Sequence, residues 1–442
     1  MTHLSDQTPA VHMPAAPAHS AATERLHALD ALRAVAMMLG VWLHAALPFV
    51  AGVPFFFWPF LEQTKSTPIA HSVTVIHSWR METFFLLSGF FTAMLLVRRG
   101  ALATLRQRST RVLIPFLIAM VTIQPLCAFV WAWGISTQWG WPLGSTTQAI
   151  LKNSWGVDTP GSPGQFGRLY HLWFLYELCL LIAAGLLARS LAPLLPGLLR
   201  GPLTRGWGVL SRAVGWCVGA WLGVVLLALP VVAALTMHGP TGAQPNPSLS
   251  PQWQSLAYYA LPFFAGWALY AHRHAIDRLA RRWWAPALIA AIATVVHIRA
   301  SGVLASIVEG QESRAATAWW FAVASRALMT TGYTLAMIGL FTRLFSNPGP
   351  RLRAIVRYIS DSAYWVYLAH LPLVIAIGIV LLPWEAHPMV KFGVCVAASL
   401  AILMVSYALL VRHTPIGRLL NGRRPRRAKE TAPAVAGAVG VV

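Results

Sequence analysis

The chain alternates long apolar runs with short connections rich in arginine or in glycine and proline. The runs approach the roughly 20 residues that a helix needs to cross a bilayer, and they lack the two-residue alternation of a membrane barrel strand. They predict helices over residues 29–50, 74–97, 112–134, 171–188, 213–236, 255–271, 284–298, 316–341, 359–382 and 389–411. The expected fold is all-α, a polytopic transmembrane helical bundle of about ten spans.

Composition supports that reading: 57% of the 442 residues are hydrophobic and 11% are charged, against about 25% charged in soluble domains. The net charge of +21 could suggest nucleic acid, but lysines and arginines crowd alternate connections, as the positive-inside rule requires. Both termini are therefore expected in the cytoplasm, with the charge setting topology rather than a nucleic-acid partner. Residues 1–25 lack the pattern of a secretory leader and are expected to form a disordered cytoplasmic tail; residues 413–442, with "RRPRRAKE", are expected to form a basic one lying against anionic lipid. The membrane domain then covers 26–412. Cys127, Cys179, Cys217 and Cys395 fall in separate apolar runs without metal or disulfide spacing and read as small core residues.

Several ionisable residues interrupt the apolar runs. Arg33 and His44 lie eleven positions apart in "DALRAVAMMLGVWLH", about 20° from three full turns, so they share a helix face and are separated by about 16 Å. The second run, "VIHSWRMETFFLLSGFF", holds His77, Arg80 and Glu82; the fourth holds His171 and Glu177; Arg326 and His370 interrupt the eighth and ninth. Each charge costs about 2.5–3.5 kcal/mol at the centre of a span, so these groups are expected to face a wet or paired interior. A single histidine reads as a helix-packing hydrogen bonder, whereas several at matched depth read as a site. No ligand spacing on one helix supports a metal, and Ser88 lacks the elbow motif of a serine hydrolase. On the inner side Arg98, Arg99, Arg106, Arg108 and Arg111 read either as an orienting loop or as a phosphate-binding cluster. In the outer loop from 135 to 170, Trp139, Trp141 and Trp155 read as belt anchors, with sugar stacking as the alternative.

Taken in order, "LDALRAVAMMLGVWLH", "FFLLSGFF", the Arg108-x-x-Arg111 pair before "VLIP", and "YWVYLAHLP" resemble the integral membrane acyltransferase 3 family over residues 26–412. Within it, "HLWFL", "LPFFAGWALY" and "SAYWVYLAHLP" most resemble the branch that succinylates osmoregulated periplasmic glucans in the bacterial inner membrane. Glu82 departs from the neutral polar residue of a branch member. The resemblance implies cytoplasmic acyl-CoA as co-substrate, succinyl-CoA in this branch, and a periplasmic β-glucan or other polysaccharide as acceptor. It also implies roles: Arg108 and Arg111 hold the nucleotide end, Arg33 lines the path, and His44 acts as general base, oriented by Glu177 or Glu82. Arg80 and Arg326 would bind the succinyl carboxylate or the oxyanion, while His77, His171, Trp173 and His370 shape the acceptor pocket. Acetylation of another surface polysaccharide is the alternative exchange. An anion or glycan transporter and a non-catalytic membrane partner are the alternatives of other classes; the lack of an internal repeat counts against the transporter.

Overall fold

The apolar runs fold as helices throughout the computed structural model, which describes residues 18–54, 57–158, 166–307, 311–345 and 348–421. In chain order these are α1 (Ala18–Ala46), α2 (Thr67–His77), α3 (Arg80–Arg108), α4 (Ile114–Trp139), α5 (Leu143–Ser154), α6 (Trp173–Leu191), α7 (Gly197–Gly219) and α8 (Gly223–Leu235). They continue as α9 (Trp253–Ala271), α10 (Ala275–Arg281), α11 (Trp284–Ala305), α12 (Glu312–Leu344), α13 (Pro350–Leu381), α14 (Pro388–Ser406) and α15 (Pro415–Asn421). No strand occurs among the described residues, and the molecule is a helical membrane bundle. Six helical stretches among them are long and apolar enough to cross a bilayer.

Two expected spans are broken. The second splits at Ser78–Trp79, between α2 and α3. The exposed carbonyls there are capped from α12: Arg326 Nη2 donates to the His77 carbonyl at 3.1 Å and the Thr330 hydroxyl to the Ser78 carbonyl at 2.7 Å. The fifth divides into α7 and α8 where Ala220 turns extended and Gly223 closes against the Cys217 carbonyl. The first break falls in the polar stretch from His77 to Glu82 and the second inside apolar sequence, and neither shows in the spans that hydropathy predicts. Helix also begins earlier than expected, at Ala18, and α15 folds inside the segment expected to be a tail; the rest of both tails, 1–17 and 422–442, lies outside the described residues.

α1 packs along α13, with α3, α12 and α14 around it. α3 and α9 come into backbone contact because each offers a glycine: Gly89 faces the Phe263 carbonyl and Gly266 faces the Leu86 carbonyl. The "FFLLSGFF" stretch thus owes its small residues to a close helix crossing. A side chain at Gly89 would meet backbone that cannot move aside. Gly89→Val is expected to destabilise the bundle by about 1–3 kcal/mol, whereas Gly144→Ala, at a position with open space around it, should stay within about 0.5 kcal/mol of the parent. Thermal unfolding in detergent checks both.

Candidate active site

Positions 33, 37, 40 and 44 follow one face of α1. Its last turn carries His44, and one turn below, Gly40 leaves a gap that a guanidinium fills: a methyl group at Gly40 would stand 2.7 Å from Arg80 Nη1 and 3.5 Å from His370 Nε2. Arg80 can reach this gap because the break at Ser78–Trp79 makes it the first residue of α3. His44, His77, His171 and His370 all lie within its electrostatic reach.

The imidazoles form a chain, with ring centres 5.2 Å apart for His44 and His370 and 5.0 Å for His370 and His171. Backbone carbonyls fix two of their tautomers, since a carbonyl only accepts. His370 Nδ1 donates to the Tyr367 carbonyl at 2.6 Å, which leaves its Nε2 a lone pair. His171 Nε2 donates to the Leu368 carbonyl at 3.0 Å, which leaves its Nδ1 a lone pair. Leu368 is free to accept because residue 372, its usual helical donor, is proline. The Tyr367 hydroxyl returns a bond of 2.8 Å to the His171 carbonyl, locking α13 to the start of α6. Unpartnered nitrogens remain on all four histidines and on Arg80.

Beneath His44 lies a cavity of about 30 Å³, walled by Met37, Gly40, Arg80, Trp173, Tyr367 and His370 among others. Its size suits about two waters. Above it, a cavity of about 520 Å³ is lined by His44, His77, Arg80, His171 and Trp173, and by Trp58, Trp131, Arg168, Tyr170, Gln244, Asn246 and Gln252. No carboxylate lines either cavity among the described residues. The second group escaped sequence reasoning because it comes from α4 and from connections that carry no periodic signal. The tryptophans read as belt anchors, Trp139, Trp141 and Trp155, are exposed and line neither cavity. Residues 159–165 of the Gly/Pro-rich outer stretch lie outside the described residues.

The wall of the larger cavity is stapled in place. Leu169 N–H donates to the Pro247 carbonyl and Leu249 N–H to the Phe166 carbonyl. Immediately after the Leu169 staple, Tyr170 adopts φ 47°, the one positive value outside glycine among the described residues; this conformation costs about 1–3 kcal/mol.

The α1–α2 connection folds over His44. Trp58, 1% exposed, stacks on the imidazole at 5.8 Å and 10°. Its segment is clasped by Gln138, which exchanges two hydrogen bonds with Leu61, and by the Glu62–Lys391 ion pair at 2.6 Å. Lys391 thereby gains the partner that its place in an apolar helix demands.

The remaining expected site residues are dispersed. Glu177 accepts a hydrogen bond from Ser255 at 2.5 Å and Glu82 one from Tyr258 at 2.8 Å, so these carboxylates turn to α9 and not to His44. Glu82 lines a separate, largely apolar cavity of about 320 Å³. Arg326 is occupied at the α2 break and lines neither cavity around His44. At the other end of α1, Arg33 pairs with Asp30 at 3.1 Å, sits 5.9 Å from the Phe91 ring, and lies within electrostatic reach of Arg108. Arg108 Nε and Nη2 are buried without partners, while Arg111 donates to the Leu420 carbonyl at 3.0 Å. No group of His, Cys, Asp and Glu among the described residues is placed to hold a metal ion.

A bundle of apolar helices encloses an arginine–histidine cluster, and Arg33 and Arg108 approach each other at the other end of the same face of α1. The family model described as an acyltransferase domain matches residues 26–409, and the chain belongs to this acyltransferase 3 family. It is a membrane acyltransferase. The chain is 22% identical over 422 residues to a glucans biosynthesis protein C of Salmonella paratyphi B, covering 92% of this chain and 97% of that protein. The proteins of the same name from Salmonella enteritidis and Salmonella choleraesuis are equally similar. No solved structure matches.

Breaking the clasp over His44 tests its energetics. Lys391→Met strands Glu62 in a largely buried position and is expected to cost about 3–5 kcal/mol, most of it recovered when Glu62→Met is added. Unfolding of the single and double variants measures the difference.

Proposed function

We propose that the protein moves a succinyl group from cytoplasmic succinyl-CoA to hydroxyls of a periplasmic glucan. The observation that carries this reading is the α1 face: Arg33 stands near the unpartnered Arg108 guanidinium at one end, and His44, with a free ring nitrogen beside Arg80, faces the cavities at the other. The spacing of about 16 Å suits the narrow pantetheine arm of CoA. Arg33 and Arg108 take the phosphates, with Arg111 beside them, and the arm follows Met37 and Gly40 to His44. The small cavity there must widen to admit it.

A glucose hydroxyl oxygen attacks the thioester carbonyl carbon while His44 removes its proton. The carbon–oxygen bond forms, the carbon–sulfur bond breaks, and the imidazolium returns the proton to the departing thiolate. General-base help of this kind is worth about 10²–10⁴ in rate. Arg80 N–H groups meet the carbonyl oxygen as it gains charge. With no carboxylate in these cavities, backbone carbonyls set the tautomers of the neighbouring His370 and His171. Similarity to proteins named for glucan biosynthesis supports the choice of acceptor.

With labelled succinyl-CoA and a β-glucan, the wild type is expected to release CoA and add succinyl mass to the glucan, and His44→Ala to lose the transfer while keeping its fold. Normal turnover by well-folded His44→Ala would falsify the general-base role. Turnover with acetyl-CoA alone would keep the chemistry and replace the donor. In a thermal-shift titration with CoA, Arg108→Ala is expected to weaken donor binding about tenfold; unchanged affinity would remove the phosphate role.

A further inference from the structure

The outer cavity holds an aromatic series that the transfer chemistry does not use. From His44 it runs through Trp58 at 5.8 Å, Trp131 at a further 5.8 Å and Tyr170 at a further 5.3 Å between ring centres. Arg168 ends it, its guanidinium 4.7 Å from the Tyr170 ring and 5.5 Å from the Trp131 ring. Two features indicate a binding surface rather than core packing. Tyr170 and Arg168 are only half-buried and line the cavity, and the left-handed backbone of Tyr170 holds its ring there against conformational preference. The Tyr170 hydroxyl is turned inward, beside the Ser154 hydroxyl, so the ring and not the hydroxyl is what the cavity meets. Facing this shelf are Gln244, Asn246 and Gln252.

We infer that Arg168 and Tyr170 form the acceptor-specificity subsite, a shelf that takes a hexopyranose ring of the glucan next to the one being acylated. The side chains around the cavity select that chemistry. Amides both donate and accept, which matches hydroxyl groups that do the same, whereas an anion would use only donors. The flat Tyr170–Arg168 surface suits the apolar face of a pyranose, and stacking already restricts the guanidinium, so little freedom is lost when sugar binds. The series leads back to His44, so a ring seated on the shelf directs its neighbour to the base.

This inference rests on the glucan reading, and the experiment separates the two. Quenching of tryptophan fluorescence by a β-linked gluco-oligosaccharide measures binding without acyl transfer. The wild type is expected to bind, Tyr170→Ala and Arg168→Gln to bind about tenfold more weakly, and Tyr170→Phe to restore most of the affinity. In transfer assays the same weakening should appear in KM for glucan and not in kcat. Absence of oligosaccharide binding by the wild type, or equal binding by folded Tyr170→Ala and Arg168→Gln, overturns the subsite. Normal binding with no acyl transfer to glucan would instead overturn the proposed reaction and leave the subsite standing. If Tyr170→Ala does not fold, Arg168→Gln, at a half-buried position, decides.

Discussion

The approach of Arg80 to α1 across Gly40 is the contact on which the rest of the site depends. A guanidinium inside a membrane bundle normally demands a carboxylate. Here the cavities around it hold none; four histidines lie in its field, and Glu82, also within that field, turns to Tyr258. Three local exceptions to regular structure make this possible. Gly40 removes the side chain that would occupy the space, the α2–α3 break delivers Arg80 at a helix start, and Pro372 frees the carbonyl that orients His171. Two of them are compensated nearby: α12 caps the broken helix, and the turn before α6 exchanges bonds with α13 around the proline.

The division of labour along α1 follows from helix geometry. One face carries Arg33 at one end and His44 at the other, so the residues proposed to meet a phosphate and those proposed to meet an acyl carbon stand eleven positions apart on a single surface. Between them Met37 supplies an unbranched side chain, and the space left by Gly40 is filled by the Arg80 guanidinium, which has to shift for the arm of the proposed donor to pass. The cavity there now suits water rather than pantetheine, so donor entry requires the helices to part locally. Trp58 and the clasped connection above His44 close the opposite side.

Much of this was legible in the chain. The shared face of Arg33 and His44 follows from their spacing alone, and the expense of ionisable groups in apolar runs pointed to one site holding His44, His77, Arg80, Glu82, His171, Glu177, Arg326 and His370, of which the structure brings together the four histidines and Arg80. Depth and charge did not reveal partners. Glu82 and Glu177 lie at suitable depth but face Tyr258 and Ser255, because direction around a helix is set by packing with α9. Arg326 has the character of a substrate-binding arginine and is taken up by a helix end that hydropathy hides. Trp58, Arg168 and Tyr170 were missed because they lie in irregular segments, where the chain has no period to read.

The central claim is that donor and acceptor meet at His44 from opposite faces of the membrane. Its most direct measurement reconstitutes the protein in sealed vesicles with succinyl-CoA on one side and β-glucan on the other, in both arrangements, and follows succinylated glucan by mass. The account expects product when the donor occupies the Arg33–Arg108 side and the glucan the His44 side, and none in the reverse arrangement. Product formed only when both substrates share one side would contradict it.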